Sequence, residues 1–239
     1  MNPRRLQYLQ HVDAEDLAHI GQWAQDRGFA IAATRLQHGE TLPSLDTFDW
    51  LVVMGGPMNI YEEVEHPWLA AEKMFIREAI DASKTVIGVC LGAQLIADVL
   101  GAKITRNPDT EIGWFPVRLT QDAKDLAMFE TLPDTFTAFH WHGDRFEIPE
   151  GAIPILESDA CANQGFLFGD RVLAFQCHLE ESDESVGHLL DNFQHEMVPG
   201  PYVQSVDDVR SGCSAIPDMN EILDRILEKL MNIDGGTIK

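Results

Sequence analysis

The chain has 239 residues, 45% of them hydrophobic, with 17 basic against 39 acidic side chains and a net charge of −22. That charge argues against nucleic acid and anionic membrane surfaces as partners. No segment is apolar for long enough to span a bilayer, the N-terminus lacks an apolar signal core, and Cys90, Cys161, Cys177 and Cys213 show no CxxC spacing or paired framework, which fits a reducing, cytoplasmic setting.

Residues 6–10 make a short first strand. Asp13 stands where a helix cap would, with Asp16 three residues on, and Leu17, Ile20, Trp23 and Ala24 then recur at helical spacing up to Gly28. Residues 29–34 read as a second strand and 49–54 as a buried third, ended by Gly55-Gly56-Pro57. A helix over 68–82 carries Leu69, Met74, Phe75, Ile76 and Ile80. It leads to an apolar strand with Val86, Ile87 and Val89, and then to a helix from Leu91 that Gly101 stops. Strands alternating with crossover-length helices predict an α/β fold, a central, mostly parallel sheet with helices on both faces.

The second half is richer in strand. Residues 113–119, 135–139, 152–157, 164–168 and 172–176 are candidates, the last two forming a hairpin on Gly169-Asp170 and adding an antiparallel part to the sheet. Residues 182–197 return to helix, capped by Ser182 and broken by Val198-Pro199-Gly200-Pro201. A last helix over 218–231 carries Ile222, Leu223, Ile226, Leu227 and Leu230 on one face, a stripe that reads as core packing rather than a partner surface. The tail, 234–239, is expected to fray. With no repeat or long linker, 1–239 reads as one domain, with a motif-bearing core over about 6–196 and a helical extension over about 197–239.

Cys90 sits at a strand-to-helix junction with Gly88 and Gly92 two residues to either side. Gly-x-Cys-x-Gly is the cysteine form of a nucleophile elbow, a tight turn whose neighbours at plus and minus two must be small. A helix N-terminus beneath the thiol would lower its pKa. Taken alone, the motif is equally a small buried thiol at the end of a core strand. His178 and Glu180 end another strand two residues apart, so in extended backbone they point the same way, and Cys177 points to the opposite face. A histidine that takes the thiol proton, oriented by a carboxylate on its other nitrogen, is the general arrangement of nucleophilic catalysis.

Gly55-Gly56-Pro57, Gly88-Val89-Cys90-Leu91-Gly92-Ala93-Gln94 and Phe175-Gln176-Cys177-His178-Leu179-Glu180 resemble, in order and separation, the three signatures of class I (triad-type) glutamine amidotransferases. His140-Trp141-His142-Gly143-Asp144 resembles a segment of the glutaminase domain of GMP synthase and of stand-alone proteins similar to it, as, more weakly, does Glu111-Ile112-Gly113-Trp114. The resemblance implies a flavodoxin-like fold. It implies Cys90 as nucleophile toward the glutamine side-chain amide, His178 as base and then acid, and Glu180 as its orienter. The Gly56 and Leu91 amides would form the oxyanion hole, and Gln94, His142, Gly143 and Asp144 would line the substrate pocket. Where the family often has proline between histidine and glutamate, this chain has Leu179.

The resemblance implies no cofactor and no metal, glutamine or a γ-glutamyl small molecule as substrate, and a separate synthetase as ammonia acceptor, because the chain has no phosphate-cradling Gly-x-x-x-x-Gly-Lys loop. Part of the oxyanion hole, at Gly56, would then be unformed until the synthetase binds. The same triad would also serve a stand-alone hydrolase of γ-glutamyl peptides or polyamines. An intact Cys90, His178 and Glu180 argues against a purely binding or regulatory protein.

Overall fold

The computed structural model describes residues 3–234. Its first half runs β1 (Arg5–Gln10), α1 (Ala18–Asp26), β2 (Ala30–Arg35), β3 (Trp50–Val53), α2 (Trp68–Asp81), β4 (Thr85–Val89) and α3 (Leu91–Val99). The second half runs β5 (Ile104–Leu119), α4 (Gln121–Lys124), β6 (Thr135–Phe146), β7 (Ala152–Glu157), β8 (Gly165–Phe168), β9 (Val172–Phe175), α5 (Asp183–Phe193), α6 (Val206–Gly212) and α7 (Ile216–Asp234). The expected fraying of 234–239 concerns a tail that, past Asp234, lies outside the described residues.

The nine strands form one sheet in the order β2-β1-β3-β4-β9-β8-β7-β5-β6. From β2 to β9 every pairing is parallel; from β9 to β6 every pairing is antiparallel. The α/β fold with helices on both faces is therefore present, and the antiparallel addition is as wide as the parallel part.

Side-chain alternation explains the two layers. Leu6, Trp50, Val52, Ile87 and Val89 point into one apolar core with α1, α5 and α7; Leu9, Leu51, Val53 and Val86 point into the other with α2 and α3. Strands buried on both faces need continuous apolar runs, which is what these sequences carry. Helix α7 belongs to the first core through Met219, Ile222, Leu223, Ile226, Leu227 and Leu230, at helical spacing. Each such side chain contributes roughly 1.5–3 kcal/mol by leaving water.

Three elements depart from expectation. Helix α1 starts at Ala18, not after Asp13, because the chain before it is tied to the rest of the molecule: the His19 N–H donates to the Glu180 carbonyl at 2.8 Å and the Ala18 N–H to the Asp16 side chain at 2.8 Å. Strand β5 begins nine residues before the expected Gly113, with an irregularity between Arg106 and Glu111 where Asn107-Pro108-Asp109 interrupts the ladder. Helix α6 is an addition, started by a capping box between Ser205 and Asp208.

Candidate active site

Cys90 lies at the C-terminal end of β4, flanked in the sheet by β3 and β9. Its backbone is at φ 51°, ψ −106°, a conformation that non-glycine residues avoid. Hydrogen bonds hold it there: the Cys90 N–H donates to the Phe175 carbonyl at 2.8 Å, and the Gly92 N–H to the Met54 carbonyl at 3.1 Å. A Cβ on Gly92 would lie 2.0 Å from the Val53 carbonyl oxygen, and one on Gly88 would lie 2.7 Å from the Gly92 carbonyl. Backbone against backbone leaves no room at either position, which is the physical content of the Gly-x-Cys-x-Gly pattern.

His178 follows β9 and is pinned to β6 by a pair of backbone bonds with Phe139, at 2.8 and 3.2 Å. Its Nδ1 is 2.6 Å from Glu180 Oε1. That leaves Nε2 for Cys90, whose thiol is electrostatically coupled to this ring and donates to the Trp141 carbonyl at 3.7 Å. Glu180 is fixed in turn by the Leu179 N–H, which donates to its Oε2 at 3.0 Å. Proline at 179 could not make that bond, so the departure from the family pattern adds a donor to the orienting carboxylate. From α7, Asn220 Nδ2 donates to the carbonyls of Leu179 and Glu181 at 3.0 and 3.2 Å, so the C-terminal helix braces the segment that carries His178 and Glu180.

Glu181 is a residue that sequence reasoning missed. Its Oε1 is 3.3 Å from His178 Nδ1, and it accepts from the Ser185 hydroxyl. Burial and the neighbouring Glu180 charge lift it to about 8, so it is neutral beside an ionised Glu180. Burial opposes protonation of His178, but the Glu180 charge and hydrogen bonding to Cys90 and Glu180 outweigh it and raise the imidazole well above its ordinary value. Burial pushes the Cys90 thiol up, and the bond to His178 only partly pulls it back. The expectation that the helix N-terminus would lower this pKa is thus corrected: desolvation dominates, and thiol and imidazole titrate as a pair. Cys177 is fully buried on the opposite side of the strand, and burial drives its thiol far higher.

A cavity of about 700 Å³ opens beside the thiol, and Gly56, Leu91, Gln94, His142, Gly143 and Asp144 all line it. Gln94 Nε2 donates to Gln176 Oε1 at 3.1 Å, and Gln176 Nε2 reaches Cys90 Sγ at 3.7 Å. His142 to Asp144 lie within β6, which runs on to Phe146 beyond the expected end at 139. Arg106, also missed from the sequence, lies over Gly143, 3.5 Å from Asp144, whose other oxygen accepts from Asn59 Nδ2 at 2.9 Å. One cation and one carboxylate at a cavity wall match the α-carboxylate and α-ammonium of an amino acid.

His11, at the end of β1, is buried between Glu72, 2.8 Å from Nε2, and the Gly55 carbonyl, 2.8 Å from Nδ1. In a trans peptide the Gly56 N–H points away from the Gly55 carbonyl, so this clamp sets the direction of that amide. Behind the cavity, Glu111 accepts from Ser158 and Gln164 at 2.7 Å each and lies 3.1 Å from His142 Nε2. Glu111, His140 and His142, like His178, Glu180 and Glu181, bring three potential ligand atoms within 4.8 Å of one another. The bonds just described already engage most of these atoms, and both groups read as polar networks that hold the pocket wall and the imidazole.

The family described as "Glutamine amidotransferase class-I" matches residues 20–197. The chain is 35% identical to the glutamine amidotransferase-like protein YfeJ of Salmonella typhimurium, over 95% of this chain and 97% of that one. It is 26% identical to gamma-glutamyl peptidase 3 of Arabidopsis thaliana, over 62% and 60% of the two chains. A crystal structure of a glutamine amido transferase from Methylobacillus flagellatus superposes with a TM-score of 0.90 at 28% identity, covering 97% of this chain and 95% of that one.

Proposed function

The chain belongs to the class I glutamine amidotransferase family, and from that premise we propose that it cleaves the γ-amide of glutamine through a thioester on Cys90, releasing ammonia for an acceptor enzyme on a separate polypeptide. The observation that carries this reading is the Cys90–His178–Glu180 relay, with Nδ1 of the imidazole held at 2.6 Å and its other face toward the thiol.

In the first half-reaction the Cys90 proton passes to His178, whose positive form Glu180 stabilises, and Sγ attacks the amide carbon. Negative charge develops on the amide oxygen, where the Gly56 N–H and the Leu91 N–H at the start of α3 supply donors. His178 returns the proton to the departing nitrogen as the carbon–nitrogen bond breaks, leaving the γ-glutamyl thioester. In the second half, water gives its proton to His178 and attacks the thioester; glutamate leaves and the thiol is restored. The balance is amide plus water to carboxylic acid plus amine. Arg106 and Asp144 would receive the α-carboxylate and α-ammonium, beside Gln94, His142 and Gly143.

A second reading, a stand-alone hydrolase of γ-glutamyl amides, is favoured by one observation. The His11 clamp holds the Gly55–Gly56 peptide in one orientation within the isolated chain, whereas the synthetase-dependent reading has that peptide turn when the partner binds. Similarity to a protein named gamma-glutamyl peptidase supports the same reading.

The test is chemical labelling. A glutamine analogue with an electrophilic γ-carbon is expected to modify Cys90 and to spare Cys161, Cys177 and Cys213, as read by peptide mass mapping. Cys90→Ala is expected to lower turnover by at least about 10³-fold with an unchanged unfolding curve. Turnover surviving in that variant refutes the thioester.

A further inference from the structure

Two cavities meet at Cys90, and they are not equivalent. Both are lined by Gly56, Pro57, Cys90, Trp141 and Glu196, but His178 lines only the smaller one, of about 40 Å³. The general acid must stand beside the nitrogen it protonates. The leaving amine therefore departs into the small compartment, and the glutamyl half occupies the large one.

The small compartment is acidic. Glu15 enters from the loop before α1, its Oε2 standing where a Cβ on Gly55 would lie, next to Cys90. Glu196 enters from beyond α5, its Oε2 accepting from Trp141 Nε1 at 2.9 Å. Leu189 and Phe193 of α5 close the remaining side, and His178, which hands its proton to the departing nitrogen, is the one group in the lining that can carry positive charge. Forty cubic ångströms holds little more than one water molecule, enough for the scissile nitrogen. Anything attached to that nitrogen must pass out between the half-exposed Glu15, Phe193 and Glu196. Desolvation lifts Glu15 to about 7, so it is only partly ionised at neutral pH, and its charge grows as the pH rises or a cation approaches it. The large cavity differs in carrying a cation, Arg106, among its carboxylates, whereas no arginine lines the small one.

We infer that this compartment is a leaving-group subsite that selects γ-glutamyl amides whose amine carries a second positive charge over those whose amine carries a carboxylate. The inference rests on the second reading above, the hydrolase of γ-glutamyl amides acting through the Cys90 thioester, and narrows it: diamine-like leaving groups are favoured, and peptide-like ones, which end in a carboxylate, are repelled by Glu15 and Glu196.

Three substrates of equal length isolate the charge: the γ-glutamyl amides of 1,5-diaminopentane, pentylamine and 5-aminopentanoate. On the wild-type protein, kcat/KM is expected to fall in that order, with the cation ahead of the anion by roughly tenfold or more. In the Glu15→Gln, Glu196→Gln double variant the ratio is expected to shrink to within about threefold. Raised salt on the wild type, which needs no variant to fold, is expected to shrink it as well. Equal rates, an anion preference, or a ratio untouched by both the variant and salt would overturn the subsite. Acid-quenched samples analysed by mass separate the two levels. A γ-glutamyl adduct on Cys90 with all three substrates at equal rates defeats only the selection. No adduct with any γ-glutamyl amide defeats the thioester reading and the subsite with it.

Discussion

The two halves of the sheet contribute to the site in different currencies. The parallel half contributes the reacting side chains and the main chain that fixes them: the Cys90 elbow after β4, the Gly55-Gly56 turn after β3 with the His11 imidazole that clamps it, and the His178 segment after β9. The antiparallel half contributes side chains: Arg106 from β5, and Trp141, His142 and Asp144 from β6. Chemistry at the thiol depends on main-chain groups held within tenths of an ångström, and recognition depends on polar groups at the rim. Substitutions in the two halves should therefore fail differently, the first by losing the fold and the second by losing affinity.

The largest expected effect is Gly92→Ala. The new Cβ would meet the Val53 carbonyl oxygen at 2.0 Å and the Met54 carbonyl oxygen at 3.0 Å. Neither can rotate away as a side-chain tip would. Overpacking costs about 1–3 kcal/mol where side chains can adjust, so a loss of about 3 kcal/mol or more is expected in urea unfolding, together with activity. Gly187→Ala, inside α5 with nothing within 4 Å of the added carbon, is the control; it is expected to gain about 0.5–1 kcal/mol. If Gly92→Ala unfolds like the wild type, the elbow is not the rigid part of the molecule.

Arg106→Ala should show the opposite profile. Its side chain is 71% exposed and its pair with Asp144 is 3.5 Å long, the kind of contact worth about 0–1 kcal/mol to stability. If its work is to bind the substrate α-carboxylate, KM should rise roughly tenfold or more while kcat changes little and the unfolding curve stays in place. A fall in kcat at unchanged KM would move Arg106 out of the recognition wall.

The same division governs what the sequence makes legible. Buried parallel strands must be apolar on both faces, so β3 and β4 stand out as runs, and the steric demand at Gly88 and Gly92 makes the elbow a pattern of fixed spacing. His178 and Glu180 are visible as a histidine and a carboxylate two apart, although β9 ends at Phe175 and the pair meets in the irregular segment beyond it rather than on a strand face. The antiparallel half is less legible for physical reasons. Asn107-Pro108-Asp109 breaks the β5 ladder, so the strand before it, and Arg106 with it, carries no periodic signal. His142 and Asp144 are polar where they line the cavity and His140 where it joins the buried Glu111 network, and polar residues after an apolar strand read as its end. Glu15 and Glu181 reach the site through long-range contacts, from His19 to Glu180 and from Asn220 to Glu181, that no local pattern encodes.

Glu181 sits at the seam of the two halves, and its titration offers the finest test of how they are joined. In the unfolded chain this carboxyl loses its proton near the ordinary 4.5; in the folded protein burial and Glu180 hold the proton until about 8. Between those values the native state binds a proton that the unfolded state has released, so stability falls as pH rises through the window. Glutamine cannot titrate and is close in shape. The stability of Glu181→Gln relative to the wild type should therefore improve from pH 5 to pH 8, by on the order of 1 kcal/mol, less than the full shift implies because Glu181 is coupled to the charged groups around it. The Cys90, His178 and Glu15 groups are common to both proteins, so the difference between the two unfolding curves reports mainly on position 181. A difference that stays flat with pH would mean that Glu181 is ionised in the native state. His178 would then sit between two full negative charges, and its imidazolium would be held too tightly to return a proton to the leaving amine.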